Sequence, residues 1–320
     1  MTERRLSSLE ICAGGGGQAL GLERAGFHHA VLVEKDPHAC ATLRHNRPGW
    51  NVVEGNLVEF DARPYAGVDL VAGGVPCPPF SKAGKQLGAS DERNLFPEAI
   101  RVVSETRPRA IMLENVRGLL DPAFSDYRGW IHAQFQTLGY EVDWKLLNAS
   151  DFGVPQLRPR VVMVGIRRDT GASFAWPSPA SAPPPTVGQV LGAMMAEGGW
   201  DGAAAWAVGA DAIAPTVVGG SRKHGGPDLG PTRARRAWAT LGVDGLVIAN
   251  APPPAGFVGM PRLTVPMVAA LQGFPPEWAF AGKKTPAYRQ VGNAFPPPVA
   301  MAVASRIVLA LGAADMQAAG

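Results

Sequence analysis

Short apolar runs alternate with helical patterns through the first half of the chain. "LSSLEIC" precedes "QALGLERAGF", "HAVLVE" precedes "PHACATLRHN", and "VDLVAGG" precedes "LFPEAIRVVSE". "RAIMLEN" then leads to a helical stretch through "YRGWIHAQFQTLGY", and "VVMVGI" closes the series. Strand–helix alternation with short connections predicts an α/β fold, a mostly parallel sheet with helices on both faces. Near Ser173 the texture changes. "FAWPSPASAPPPT" is a proline-rich break, and the chain from there to Pro261 is rich in Gly, Pro and Ala with little periodicity. That composition predicts a smaller, irregular domain bounded by loops. Helical patterning returns at "TVPMVAALQGF" and "PPPVAMAVASRIVLALGAA". The expected division is 1–175, then 176–285, then a segment 286–320 that rejoins the first domain.

The 320 residues are 46% hydrophobic and 18% charged, ordinary for a soluble protein with a good core. Apolar runs such as "IVLALGAA" read as too short to span a bilayer, and "MTERRLSSLE" lacks the apolar core of a secretory signal, so no membrane and a cytoplasmic location are expected. Cys12, Cys40 and Cys77 are an odd set with no CxxC pair, which argues against a disulfide framework and against a structural zinc site; no metal is expected. A net charge of +3 does not announce a nucleic-acid partner by itself. Its distribution says more: residues 1–75 hold 7 basic and 9 acidic side chains, whereas "SRKHGGPDLGPTRARRAW" holds five basic residues and one acid. Such a cluster is either a solvated face or a phosphate-binding footprint.

Four places carry candidate chemistry. "EICAGGGGQALGLERAGF" sets Gly14, Gly15, Gly16 and Gly17 between a strand and a helix, where backbone can approach a ligand at a helix N-terminus. Glu34 ends the next strand, where a carboxylate can accept from ribose hydroxyls. A tight turn explains the glycines alone; turn plus acid favours a nucleoside, without choosing a dinucleotide over another adenosine cofactor. "VDLVAGGVPCPPFS" places Cys77 beyond a third strand, hence at the ligand-binding edge of an open sheet. Most cysteines are small buried hydrophobes, but prolines on both sides suit the mounting of a nucleophile. "RAIMLENVRGL" ends a fourth strand in Glu114 and Asn115, and an exposed carboxylate at that edge would make a thiol and a proton donor neighbours. "DFGVPQLRPRVVMVGI" sets Arg158 and Arg160 two apart, which aims both to one side of an extended chain. Paired surface arginines are common, so that pair is weak evidence in isolation.

Taken in order, the glycine-rich opening, "PCPPFS", "ENVRG", "GVPQLRPR", "RLTVPMVAALQGFP" and "YRQVGNAFPPPVA" resemble the signature blocks of the DNA (cytosine-5) methyltransferase family, of the bacterial restriction–modification type. They leave unmatched only the stretch from about Ser173 to Pro261. The resemblance implies a Rossmann-like catalytic and cofactor-binding domain and a smaller target-recognition domain. It implies S-adenosylmethionine as cofactor, S-adenosylhomocysteine as product, and a cytosine flipped out of duplex DNA as substrate. Carried over by position, Cys77 would add to C6, Glu114 would contact N3 and supply a proton, and Arg160, with Arg158 in support, would steady the base. Asn115 and Gly292 look like supporting residues. The cofactor would meet Ala13, Gly14, Gly15, Gly16, Gly17, Glu34, Asn56, Pro76 and Asn293. Two positions depart from the family pattern: Asn56 stands where Asp is common, and Pro78 where many members have Gln.

After Cys77, "SKAGKQLGASDERN" suits a mobile loop closing over DNA, with Ser81, Lys82 and Lys85 as contacts. Arg222, Lys223, His224, Arg233, Arg235 and Arg236 would divide between phosphates and base edges in the recognition domain. A monomer with no regulatory domain fits a minimal modification enzyme, with any cognate restriction endonuclease acting separately. Three rivals stand beside this reading: a nicotinamide-dependent oxidoreductase using the same glycine turn, a catalytically inactive relative that only binds DNA, and cytosine-5 methylation of RNA. The first leaves Cys77, Glu114 and the arginines without a shared purpose. The second has to explain why all of them are present. The third gives no role to a sizeable recognition segment.

Overall fold

The computed structural model describes residues 5–76, 94–219 and 227–319. Two compact units emerge, the first from Met1–Leu147, Arg160–Ser178 and Ala300–Gly320, the second from Asn148–Pro159 and Pro179–Val299.

The first unit is built on a sheet of β1 (Ser7–Ile11), β2 (His28–Glu34), β3 (Val52–Glu54), β4 (Leu70–Gly74), β5 (Ala110–Val116), β6 (Tyr140–Asn148) and β7 (Pro159–Arg167). Their order is β3-β2-β1-β4-β5-β7-β6. The pairs β1–β2, β1–β4, β2–β3 and β4–β5 are parallel, and β5–β7 is antiparallel. The expected mostly parallel sheet is therefore present, and its chain order reverses between β1 and β4. That reversal is a topological switch point, where open α/β sheets hold their ligands outside the carboxyl ends of the strands.

Helices α1 (Gly17–Arg24), α2 (Pro37–Asn46), α3 (Phe96–Thr106) and α4 (Ser125–Thr137) follow the strands. Asp36 starts α2 by accepting from the His38 and Ala39 amides, with Pro37 in the first turn where its missing N–H costs nothing. Among the described residues, Leu9, Ile11, Val71, Ile111 and Leu113 pack with Phe96, Ile131 and Phe135 in one apolar cluster, and Ala13, Ala19, Leu32 and Leu43 form another. Strands β4 and β5 are buried along nearly their whole length, the expected state of central parallel strands covered on both sides.

In the second unit the irregular segment expected from about Ser173 to Pro261 also carries the short helices α5 (Val187–Ala196), α6 (Ala203–Gly209) and α7 (Thr232–Ala239). Beyond it α8 (Val265–Leu271) follows the helical patterning of "TVPMVAALQGF", with α9 (Lys284–Asn293) after it. Thr186 and Gln189 form a reciprocal capping box at the start of α5. Gly188 lets α5 meet α6 with no side chain between them, since a Cβ there would lie 1.9 Å from the Ala207 carbonyl oxygen. Alanine and glycine at such a contact carry little hydropathy contrast, which hides the helical period from the sequence.

The last helix, α10 (Pro297–Ala319), is longer than its apolar runs suggest; with the chain before it, Lys284–Gln317 is long and apolar enough to cross a membrane. Val303, Ala304, Ile307 and Leu311 are nevertheless buried in the protein, the pattern of a core helix. Asp315 pairs with Arg109, and Arg306 donates to the Ala175 carbonyl at 3.0 Å, which ties α10 to the first unit.

Candidate active site

The turn between β1 and α1 is where the strand order reverses. Cys12, Gly14 and Gly16 all have positive φ, at 53°, 55° and 87°, so the chain makes a left-handed passage before the helix. For Cys12 this is an uncommon conformation for a residue with a side chain. A Cβ on Gly14 would meet no atom within 4 Å, so the loop faces open space there. Glu34, at the end of β2, accepts from the Gly14 amide at 2.7 Å through Oε2 and from the Lys35 and Asp36 amides through Oε1. A carboxylate has about four acceptor positions, so three amides leave Glu34 room for a further donor such as a hydroxyl. A cradle of backbone plus a carboxylate with spare capacity fits the adenosyl portion of a methyl donor. Ala13, Gly15, Gly16 and Gly17 are buried in this turn. Asn56, beyond β3, accepts from the Val58 amide at 3.3 Å and so caps a short turn, a local task that its amide oxygen performs.

Behind the loop lies a polar buttress that the sequence did not single out. His29 shares a hydrogen bond with the Ala19 carbonyl through Nε2 at 3.0 Å and with the Ser8 hydroxyl through Nδ1 at 2.9 Å. Burial lowers its pKa to about 4, so it is neutral, with Nε2 donating and Nδ1 accepting. Glu10, two residues along β1 from Ser8, is also buried. Burial first, and the Glu34 charge second, push its carboxyl well above the usual carboxylate range. Its Oε2 has no hydrogen-bond partner among the described residues. Folded protein thus keeps a proton on Glu10 that the unfolded chain releases near its ordinary pKa, and stability falls as pH rises through that window. Glu10→Gln is expected to raise the melting temperature at about pH 8, by an equivalent of about 1–3 kcal/mol. The gain should fade as the pH falls toward about 4, where both states are protonated. A gain of equal size at both pH values would show that Glu10 ionises alike folded and unfolded.

Strands β4 and β5 bring the next pieces together. Gly73 has no room for a side chain, since a Cβ would lie 2.5 Å from both the Cγ1 and the carbonyl oxygen of Ile11. Gly74 lies over Glu114, whose Oε2 would be 3.3 Å from a Cβ at that position. Asn115 donates to the Val75 carbonyl at 2.8 Å, and its Oδ1 accepts from the Val116 amide. The chain leading into Pro76 is therefore held by a buried side chain from the neighbouring strand.

Glu114 differs from the exposed strand-end carboxylate that its sequence context suggests. It is only 8% exposed, sits within β5 opposite Gly74 in the register, and forms an ion pair of 2.7 Å with Arg160 Nε. Arg160 reaches it from the antiparallel strand β7, where it pairs in register with Val116. A carboxylate and a guanidinium at this depth hold each other in place.

Arg158 has other partners. It is fully buried in the second unit and donates to the carbonyls of Val217, Gly292 and Ala294 at 2.7, 2.8 and 2.8 Å. The expectation that alternation aims both arginines to one side applies only to regular extended chain, and Arg158 precedes β7. Asn293 ends α9, and a Cβ on Gly219 would lie 2.0 Å from its Oδ1. On α7, Arg233 and Arg236 are exposed, while Arg235 is half-buried and donates to the Thr232 hydroxyl. Cys77, Pro78, Ser81, Lys82, Lys85, Arg222, Lys223 and His224 lie outside the described residues.

Comparison with known proteins agrees with these features. The model of the C-5 cytosine-specific DNA methylase family matches residues 6–208 and 250–309. The gap, 209–249, is narrower than the stretch the signature blocks leave unmatched, and it contains the basic cluster and α7. The chain is 57% identical over 311 residues to Type II methyltransferase M.NgoMIV of Neisseria gonorrhoeae, covering 96% of this chain and 98% of that protein. It is 55% identical over 312 residues to Type II methyltransferase M.NaeI of Lentzea aerocolonigenes, covering 96% and 75%. Among solved structures, the Entamoeba histolytica methyltransferase EhMeth shares the fold with a TM-score of 0.66 at 14% identity, over 98% and 99% of the two chains. With its ordered blocks, its sheet and a family match over most of its length, this chain belongs to the C-5 cytosine-specific DNA methylase family.

Proposed function

We propose that the protein transfers the methyl group of S-adenosylmethionine to C5 of a cytosine flipped out of a specific duplex DNA sequence, through a covalent bond from Cys77 to C6. The observation that carries the reading is the buried Glu114–Arg160 pair at the sheet edge where β4 leads toward Cys77. Family membership supports the substrate and the reaction class. Neither a nicotinamide enzyme nor an inert DNA binder gives that pair a task.

Each residue has a balanced role. The Cys77 thiolate forms a bond to C6, and the electrons of the C5–C6 double bond move to C5 as Glu114 hydrogen-bonds N3 and supplies a proton there. Arg160 orients Glu114 and offers further donors to the base. When bound, S-adenosylmethionine supplies the methyl group and leaves as S-adenosylhomocysteine. Loss of the C5 proton to solvent restores the double bond and expels the Cys77 thiolate, and N3 returns its proton to the Glu114 carboxylate. The β1–α1 turn and Glu34 hold the adenosyl portion, with Asn56, Pro76 and Asn293 as further contacts. Of the three cysteines, Cys12 and Cys40 are unsuited to the nucleophile's task, because burial and the Glu34 charge push both thiols up to about 12.

The second unit serves as the target-recognition domain, with the exposed Arg233 and Arg236 among its DNA contacts. Relatives named Type II methyltransferases support a restriction–modification setting with an endonuclease that acts separately, and a cytoplasmic monomer belongs to the same proposal. The test is transfer of label from S-adenosylmethionine. Incorporation at C5 of cytosine in duplex DNA, uncompeted by RNA and falling steeply with salt, is expected. Failure on every cytosine-containing duplex would overturn the reading, and efficient competition by RNA would redirect it to an RNA substrate.

A further inference from the structure

Helix α7 sets Thr232, Arg235, Arg236 and Ala239 on one face, at spacings of three and four, and all four line a cleft of about 360 Å³. Trp238, on a neighbouring side of the helix, is fully buried and anchors it. Past the helix, the Leu241 and Val243 amides both donate to the Trp238 carbonyl, and Gly242 takes a φ of 66° that turns the chain back. Residues 243–246 then pass Arg235 and form the far wall of the cleft with Met260. Two backbone bonds hold that wall, from the Asp244 amide to the Pro261 carbonyl at 2.9 Å and from the Leu229 amide to the Gly245 carbonyl at 3.1 Å.

Within the cleft an arginine and a carboxylate are fixed in place. The stem of Arg235 lies on Gly245, where a Cβ would sit 3.2 Å from its Cγ, and its guanidinium donates to the Thr232 hydroxyl at 3.3 Å. Asp244 accepts from the Leu246 amide at 3.0 Å through Oδ1 and from Arg262 Nε at 2.7 Å through Oδ2. Burial would raise its carboxyl, but those two bonds and the Arg262 and Arg235 charges hold it below the usual carboxylate range. Asp244 is therefore ionised, and a carboxylate with two of about four acceptor positions filled can take a further donor. Leu246 and Met260, 60% and 50% exposed, leave apolar surface in water beside these charges, which suits a face that a partner covers. Arg233 and Arg236 differ. Both are exposed, and among the described residues neither guanidinium has a partner.

In the major groove, guanine presents N7 and O6 side by side as acceptors, and its cytosine presents the N4 amino donor. An A·T pair has no two adjacent acceptors, because the adenine N6 donor separates N7 from the thymine O4. A fixed guanidinium fork beside a fixed carboxylate matches the first pattern. We infer that Arg235 and Asp244 read one G·C pair of the target duplex, Arg235 on guanine N7 and O6 and Asp244 on cytosine N4, while Arg233 and Arg236 hold phosphates. This rests on the reading of the second unit as the part that recognises DNA. Place in the chain agrees. Both readers fall within 209–249, the stretch outside the family model, and discrimination between targets belongs where members of one chemistry differ.

The test uses the full-length enzyme and the duplex site found by sequencing the cytosines it methylates. Replacing each guanine of that site in turn by 7-deazaguanine removes N7 alone. With the unmodified enzyme, at least one position is expected to lose about fivefold to a hundredfold in affinity. With Arg235→Ala, the same replacement at one such position should cost nothing more. Arg235→Lys should not restore the preference, because an ammonium lacks the fork. Asp244→Asn should relax the choice of base pair at that same position. Arg236→Ala is expected to weaken all duplexes alike and to lower the slope of log affinity against log salt by about 0.9, with site choice unchanged. Three results would overturn the inference: every sensitive position staying sensitive in Arg235→Ala, equal weakening of cognate and altered duplexes by that variant, or relaxation of different positions by Arg235→Ala and Asp244→Asn. Insensitivity of the unmodified enzyme to loss of N7 at every position would overturn it too, whether or not any variant folds. Label transfer by the unmodified enzyme separates the two ideas. Its failure on every duplex removes the reaction, whereas transfer together with an adverse result removes only the assignment of Arg235 and Asp244.

Discussion

Cys77→Ser is expected to bind cognate duplex within a few-fold of the unmodified protein and to methylate it at least about ten-thousand-fold more slowly, the scale on which removal of an enzymic nucleophile acts. Serine has nearly the same size, so the fold should persist. Its hydroxyl is far less acidic than a thiol and a poor nucleophile toward C6. Neither remaining cysteine can substitute. Cys40 donates to the Glu34 carbonyl at 3.3 Å from inside the first unit, and Cys12 is committed to the left-handed start of the cofactor turn. Both thiols stay protonated for the reason given above. The measurement pairs label transfer with a DNA-binding assay on the same preparation. Full transfer by the serine variant would take Cys77 out of the chemistry, and lost binding would make it a structural residue. A duplex carrying fluorine at C5 of the target base sharpens the result. Fluorine cannot leave as the proton does, so the unmodified enzyme should remain covalently attached while the serine variant does not.

Much of this was legible before any coordinates. The strand–helix alternation of the first unit survives in β1, β2, β4 and β5 with their following helices, because each run has a clear period and a glycine or proline boundary. Strand β3 was missed because three residues give no period, and β6 because its alternation lies on a half-exposed strand. Periodicity is also silent on direction: "VVMVGI" reads as a buried strand either way, and only the pairing with β5 makes it antiparallel. That direction matters, since it brings Arg160 to Glu114 from the far side of the pair. Glutamate at the end of an apolar run suggests exposure, yet Glu114 is buried because Gly74 leaves space for it and Arg160 compensates its charge. Arg158 illustrates the opposite limit. Its partners are carbonyls that lie 59 to 136 residues away, and no local pattern encodes such a bond. The buried Glu10 and Ser8 and the half-buried His29 were equally hidden, because a polar residue in a strand normally signals solvent.

The Glu114–Arg160 pair supports the second large effect. Glu114→Gln is expected to lower kcat by about a hundredfold to ten-thousandfold, the usual range for loss of a positioned proton donor. Its amide can still accept from Arg160, so the fold should hold. Arg160→Ala is expected to lower kcat on a similar scale, but it also leaves the Glu114 carboxylate buried without its guanidinium. At 10% and 11% side-chain exposure the pair is shielded enough for that loss to cost about 3–5 kcal/mol of stability. Arg160→Lys should recover part of the stability and little of the rate, because an ammonium neutralises charge without offering the forked donors that orient a base. The double variant is decisive. If the arginine works through Glu114, then Glu114→Gln with Arg160→Ala should be scarcely slower than either single change and more stable than Arg160→Ala alone. Additive losses in kcat would instead give the two residues independent contacts with the cytosine.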